Sequence, residues 1–184
     1  MQAHIGRCLY GKIECPYWPC KERIVLGEVV DHLKQKHGSQ EIRCKWRNGE
    51  MTHYLSCTWS VHEEEKKSCK NLYWPPMIMP DFHDGHTFLV RCFKIDFSWY
   101  TLVSVLGSKE VSEKYKVKIS TSTKTSNVLS ISNKGKVYST RISKDDILND
   151  PEGILDLSKN QILKLEKKGG GMYRMDVGYE IYRK

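Results

Sequence analysis

Four residues carry the clearest chemistry in this sequence: Cys15 and Cys20, then His32 and His37, spaced Cys-x4-Cys-x11-His-x4-His. Two thiolates on a short knuckle and two imidazoles on one helix can converge on a single ion, and a two-sulfur, two-nitrogen set is one that zinc takes in structural sites. A helix rises about 1.5 Å per residue, so histidines five apart are off the i, i+4 register and require a loosened last turn. Four protein ligands leave no position for water or substrate, so the expected role is structural, with one Zn2+ per chain. A second, incomplete signal is His4-x3-Cys8, half of a metal site with no Cys-Cys half before it.

The remaining cysteines, Cys44, Cys57, Cys69 and Cys92, are irregularly spaced and read as ordinary packed or surface thiols. The first eight residues lack the apolar run of a signal peptide, so the expected location is cytoplasm or nucleus. In those reducing compartments a thiol cluster is more often a metal site than a disulfide framework. Neither a paired carboxylate site nor a Ser/His/Asp order is recognisable, so no catalytic residue is assigned. No segment approaches the roughly 20 apolar residues that span a bilayer, and no membrane partner is expected.

The net charge is +8, from thirty basic and twenty-two acidic residues. Its lysines mostly alternate with polar residues on strand-like segments, as on a solvated face. A nucleic-acid-binding finger is the competing reading. It is disfavoured because the presumed helix carries Glu28 and Asp31 where a DNA-reading helix offers Arg, Asn or Gln.

The elements that must position these residues follow from apolar spacing. Leu26, Val29, Val30 and Leu33 recur at offsets of three and four, which describes a short amphipathic helix starting near Gly27, carrying His32 and His37, and closed by Gly38. A boundary there separates a metal module, residues 1–38, from a β domain, residues 39–184. Residues 42–46 and 54–59 flank Asn48-Gly49 and read as a hairpin, and the charged run 61–67 reads as a loop. Residues 72–79 look extended but are broken by Pro75-Pro76, which confines them to an edge. Residues 87–95 and 99–106 should pair, while 114–121 and 172–182 alternate as half-buried strands. Segments 128–131 and 137–142 read as strands joined at Asn133-Lys134-Gly135, and Ser158 opens a capping-box helix to about Lys167. About eight strands with one or two short helices make a mainly β protein, an antiparallel sandwich beside a small Cys2His2-type finger.

Taken together, His4-x3-Cys8-x6-Cys15-Pro16 and Cys20-x11-His32-x4-His37, with Asp31-His32-Leu33, resemble the paired zinc fingers of the seven-in-absentia (Sina/Siah) ubiquitin-ligase family. In that family two fingers follow a RING, and a TRAF-like β-sandwich then binds substrates and dimerises. His4 and Cys8 match the closing ligands of the first finger, and residues 15–37 match the second, with a shorter gap between Cys15 and Cys20 than is usual. Residues 88–90, 99–107, 112–115, 135–139 and 158–165 are similar to TRAF-like segments in the same order, so the resemblance covers nearly the whole chain.

The resemblance implies a substrate-recognition or scaffold protein of the ubiquitin pathway, acting as a homodimer or paired with a RING-bearing family member. Its relatives are RING-type ubiquitin ligases, but no RING pattern precedes His4, so ubiquitination by this chain alone is not expected. Family members capture extended peptides with a Val-x-Pro core along a sheet edge, a mode in which main-chain bonds give affinity and pockets read alternate side chains. The candidate contacts are Tyr73, Trp74 and Met77, with Tyr54 and Trp59 on the strand beside them, and Trp74 resembles the family's peptide-contacting tryptophan. Tyr73, Trp74 and Met77 read equally well as core residues. Trp18, with Pro16 and Pro19, reads as packing around the metal.

Overall fold

The computed structural model describes residues 11–42, 45–47, 50–62, 70–80, 85–122, 130–158, 161, 166–168 and 172–184, with the backbone alone at 45–47, 50–62, 122, 130, 166–168 and 172–175. The chain opens with a hairpin, β1 (Lys12–Glu14) and β2 (Arg23–Val25), whose two strands form their own small sheet. A 3-10 turn at Leu26–Glu28 leads into α1 (Val29–His37), which buries Val29 and Leu33 completely. Gly38 ends it at φ 66°: its N–H reaches the Lys34 carbonyl at 3.2 Å, and the Ser39 N–H reaches the Leu33 carbonyl at 3.1 Å.

The rest is mainly β. After β3 (Lys45–Arg47) and β4 (Glu50–His62) come β5 (Leu72–Tyr73), β6 (Met77–Met79), β7 (Phe88–Ile95) and β8 (Ser98–Val105). A short α2 (Lys109–Ser112) precedes β9 (Tyr115–Ser122), β10 (Ser130–Lys136) and β11 (Tyr138–Ser139). Then follow α3 (Lys144–Asn149), β12 (Leu155–Leu157), β13 (Glu166–Lys168) and β14 (Met172–Arg183). Among the described residues two six-stranded sheets form. The first runs β10-β9-β14-β4-β3 with β13 on β14, and the second runs β11-β8-β7-β5 with β12 on β8 and β6 on β7.

The sheets lie face to face. Phe88, Val90 and Cys92 of β7 and Trp99, Val103 and Val105 of β8 share one apolar cluster with Tyr115, Val117 and Ile119 of β9 and Val177, Tyr179 and Ile181 of β14. Alternate residues of each strand supply that interior, as the period of two requires. A buried polar link crosses it: the Thr101 hydroxyl donates to the Arg91 carbonyl at 3.1 Å, which leaves the Tyr179 hydroxyl, 2.6 Å away, to donate to Thr101.

The second sheet is also covered on its outer face. Leu89 and Ile78 pack with Ile13, Ile24, Leu26, Val29 and Leu33 of the N-terminal module. Phe93 and Leu102 pack with Tyr138, Ile147 and Ile154, with Trp18 and Tyr73 against them. Seven of the eight residues of β7 are therefore buried, although polar Arg91 and Lys94 are among them.

The 45–47/50–62 hairpin, the β7–β8 pair and the strands at 115–122 and 172–183 stand where apolar patterning places them. The break at Pro75-Pro76 separates β5 from β6, both on the edge beside β7. Other expectations are corrected. Asn133-Lys134-Gly135 is not a turn: β10 runs straight through it, paired residue by residue with β9. The glycine answers a different need, because the 152–153 backbone crosses directly over it and any side chain there would overlap that backbone. Gly153 fits reciprocally, at φ 97° with its α-carbon against the Lys136 carbonyl, and the Asn133 amide donates to the Ile154 carbonyl at 2.6 Å. Of the strand expected over 137–142 only Tyr138–Ser139 forms. β4 continues through Val61 and His62, which were expected to be loop. Ser158 and Gln161 make the capping contact, with the Ser158 N–H 2.7 Å from the Gln161 side-chain oxygen, but the helix stops before Glu166, where β13 pairs with β14.

Gly153→Ala should cost about 2–4 kcal/mol, combining a strained positive φ with a backbone clash. Urea unfolding of the two proteins measures it, and an unchanged midpoint would mean that the 150–154 loop does not rest on β10.

Candidate metal centre

The knuckle between β1 and β2 is closed by two main-chain bonds, from the Cys15 N–H to the Glu22 carbonyl at 2.9 Å and from the Cys20 N–H to the Tyr17 carbonyl at 2.8 Å. These hold the two sulfurs toward α1, which delivers His32 and His37 from its middle and last turns. The four ligand atoms all lie within 4.8 Å of one another. His32 Nε2 and His37 Nε2 are 3.1 Å apart, Cys15 Sγ is 3.5 Å from His37 Nε2, and Cys20 Sγ is 3.7 Å from His32 Nε2.

Those separations can be compared with what an ion demands. Zn–S bonds of about 2.3 Å and Zn–N bonds of about 2.0–2.1 Å in a tetrahedron imply edges of roughly 3.3 Å between nitrogens and roughly 3.5–3.6 Å between nitrogen and sulfur. The observed edges match to a few tenths of an ångström. The group could thus hold one metal ion, and two soft sulfurs with two imidazoles suit zinc better than the oxygen-preferring cations. With four protein ligands engaged, the ion's chemistry is cross-linking rather than activation of water.

The surroundings fit the same purpose. Burial, reinforced by the Cys20 sulfur, pushes the Cys15 thiol up to about 12 against a backbone hydrogen bond from Tyr17 that pulls it down. A buried thiolate therefore needs a cation beside it, and ion capture must release the proton. Burial also lowers His37, with the neighbouring His32 adding to the effect, which favours the neutral imidazole that a metal requires. Outside the ligands, the Glu22 carboxylate stands 3.9 Å from His32 Nδ1 and accepts from Lys36 Nζ at 2.7 Å through both oxygens. At 3.9 Å the carboxylate acts on His32 as a nearby charge rather than a hydrogen-bond partner; it is the convergence of both Nε2 atoms on the sulfurs that marks them as the ligand nitrogens. The Tyr17 ring lies 4.7 Å from that of His37, and Trp18 packs 4.5 Å from Phe93 of β7, so the knuckle is seated on the sheet.

All four predicted metal ligands are brought together; His4 and Cys8 lie outside the described residues. Cys92 is a buried thiol of the sandwich interior. Of the expected peptide contacts, Tyr54 and Trp59 belong to β4 in the first sheet, with only their backbone described, whereas Tyr73, Trp74 and Met77 belong to the second-sheet edge. Trp74 packs 4.8 Å from Trp99, Met77 packs on the sandwich interior, and the Tyr73 hydroxyl accepts from Lys144 Nζ at 2.9 Å. That edge is itself covered at Ile78, whose N–H donates to the Gln40 carbonyl and whose carbonyl accepts from the Ile42 N–H. Arg91, beneath the knuckle, was missed in the sequence, where nothing distinguishes an arginine inside an apolar strand.

No family model and no curated protein matches the chain. No described helix is long and apolar enough to cross a membrane.

Cys20→Ser should abolish stoichiometric zinc uptake, as read by competition with a chromophoric chelator. Apparent affinity should rise with pH, by about tenfold per unit for each proton released. Because Leu89 and Ile78 share the module's apolar cluster, chelation should also lower the thermal midpoint of the sandwich, on the order of 10 °C, from about 1.5–3 kcal/mol per large apolar side chain uncovered. Calorimetry with and without chelator tests this; an unchanged sandwich transition would show two independent modules.

Proposed function

We propose that this protein is a zinc-stabilised protein-recognition module of the seven-in-absentia type, a substrate-binding or scaffold component of the ubiquitin pathway with a TRAF-like sandwich. The observation that carries the reading is the convergence of the Cys15, Cys20, His32 and His37 ligand atoms to within 4.8 Å of one another on a module seated against a β-sandwich. The filled ligand set argues for a structural ion, and a sandwich built on such a support is suited to presenting a fixed surface.

Strand addition needs an edge with free main-chain groups. The β6 edge is occupied by residues 40–42, so the proposal places peptide capture at β3, on whose outer side no described strand pairs. Tyr54 stands one strand in from that edge, opposite Lys45 in register, which keeps it near a peptide lying along β3. Trp59, opposite Met175 of β14, lies farther along the same strand. The pairing partner is a second copy of this chain or a RING-bearing relative, and the ion is zinc.

Native mass spectrometry with metal analysis, on the chain alone and mixed with a Val-x-Pro peptide, tests the reading. One zinc per chain, a dimer and saturable peptide binding that slows amide exchange at 45–47 are expected. A zinc-loaded monomer indifferent to the peptide would remove the family-type recognition mode.

A further inference from the structure

Two hollows meet at the seam between the metal module and the segment after β11. The deeper has a volume of about 70 Å³, several times the roughly 10–15 Å³ that admits one water. The shallower, of about 330 Å³, adjoins it and shares Glu14, Thr140, Ile142 and Ser143 with it. Their lining is strongly basic: Lys12, Lys21, Arg23, Arg91, Arg141 and Lys144 are cationic, and exposed Glu14 is the one anionic residue among them.

The deep hollow contains two polar groups that find no hydrogen-bond partner among the described residues. Arg91 is 4% exposed, with its guanidinium carbon 4.1 Å from the centre of the Trp18 ring; Nη1 reaches Ser104 Oγ at 3.5 Å, and Nη2 has no hydrogen-bond partner among the described residues. Thr140, 7% exposed, likewise leaves its hydroxyl without a partner among the described residues. Burial pulls Arg91 down to about 9, against the opposing pull of the nearby Cys15 sulfur. The guanidinium charge is not cancelled by the metal centre, because a divalent ion with two thiolates and two neutral imidazoles sums to zero. A buried charge with no carboxylate partner among the described residues is expensive, so an arginine retained here is poised for an anion supplied from outside.

We propose that this seam binds an acidic segment of a partner polypeptide, one carboxylate seating against Arg91 and Thr140 while its neighbours lie along Lys12, Arg23 and Arg141. The carboxylate's two oxygens answer the two unpartnered donors, and Lys144, 5.5 Å from the Trp18 ring, guards the mouth. A polypeptide is favoured over a nucleic acid because the receptive groups sit in a hollow sized for one carboxylate, and the neighbouring 3-10 turn and helix carry exposed Glu28 and Asp31. The inference rests on the protein-binding reading but uses a surface separate from β3.

The test uses the zinc-loaded full chain and a short fluorescent peptide alternating Glu and Gly, its Gln counterpart, and the Val-x-Pro peptide in parallel. The Glu peptide should bind, more weakly as salt rises, and the Gln peptide should not. Thr140→Val should keep the melting temperature, because the hydroxyl it removes has no partner, yet weaken the Glu peptide by roughly tenfold or more. Arg91→Gln should abolish binding where it folds. Equal binding of the Glu and Gln peptides, or full affinity in Thr140→Val, would overturn the proposal, as would an oligonucleotide that binds tighter than the Glu peptide and ignores the Thr140 change. Val-x-Pro binding without Glu-peptide binding would overturn the seam alone; Glu-peptide binding without Val-x-Pro binding would remove the β3 mode and leave the seam standing.

Discussion

A sheet that is apolar on both faces must be covered on both faces, and the rest of this structure answers that demand. One side of β7 and β8 packs on the first sheet through Phe88, Val90, Val103 and Val105; the other side presents Leu89, Phe93 and Leu102. Left open, that second face would be a long apolar patch of the kind that drives association. The β1–β2 hairpin with α1 covers one half of it, and the 138–154 segment covers the other.

The first cover is very small, two three-residue strands and a nine-residue helix. A unit of that size cannot bury enough surface to offset its own ordering entropy, and natural solutions add a cross-link. The Cys15, Cys20, His32 and His37 cluster could hold an ion that cross-links the knuckle and the helix, while Val29 and Leu33 supply the contact with the sheet. The second cover is held by polar rather than metal links: the Tyr138 hydroxyl lies 2.6 Å from both the Asp150 and Glu152 carbonyls, and Lys136 pairs with Asp150. Neither cover is complete without the other, because Trp18 of the knuckle packs into the same cluster as Tyr138 and Ile147.

Metal ligands were legible in the sequence because their chemistry is written in residue type and short spacing. Helix α1 was legible for the same local reason, and so were the strands whose period of two is uninterrupted. Some misses had a readable signal: Ser143 with Asp146 three residues on is a capping pattern, and the Ser143 hydroxyl does accept from the Asp146 N–H at 3.1 Å at the start of α3. Others had none. Gly135 inside Asn-Lys-Gly looks like a turn, and only the crossing of Gly153 explains why a strand needs glycine there. The aromatic group Tyr73, Trp74 and Met77 was ambiguous because surface and core aromatics have the same composition; their neighbours, Trp99, Phe93 and Trp18, come from distant parts of the chain.

Arg91 shows how the covered face and the metal module depend on each other. An arginine on the outer side of β7 would ordinarily reach water, yet the knuckle lies over it and Trp18 faces its guanidinium. The stacking offsets part of the desolvation, since a cation over an indole gains more as water is excluded. That gain requires Trp18 to stay in place, and Trp18 lies between Cys15 and Cys20 in the knuckle, whose position follows from the metal ligands. Loss of the ion would therefore loosen the ring over Arg91 and let water reach the guanidinium, removing the conditions that make the seam selective for a carboxylate. An ion held by these four ligands would in this way act at a distance, by fixing the ring that covers a buried charge.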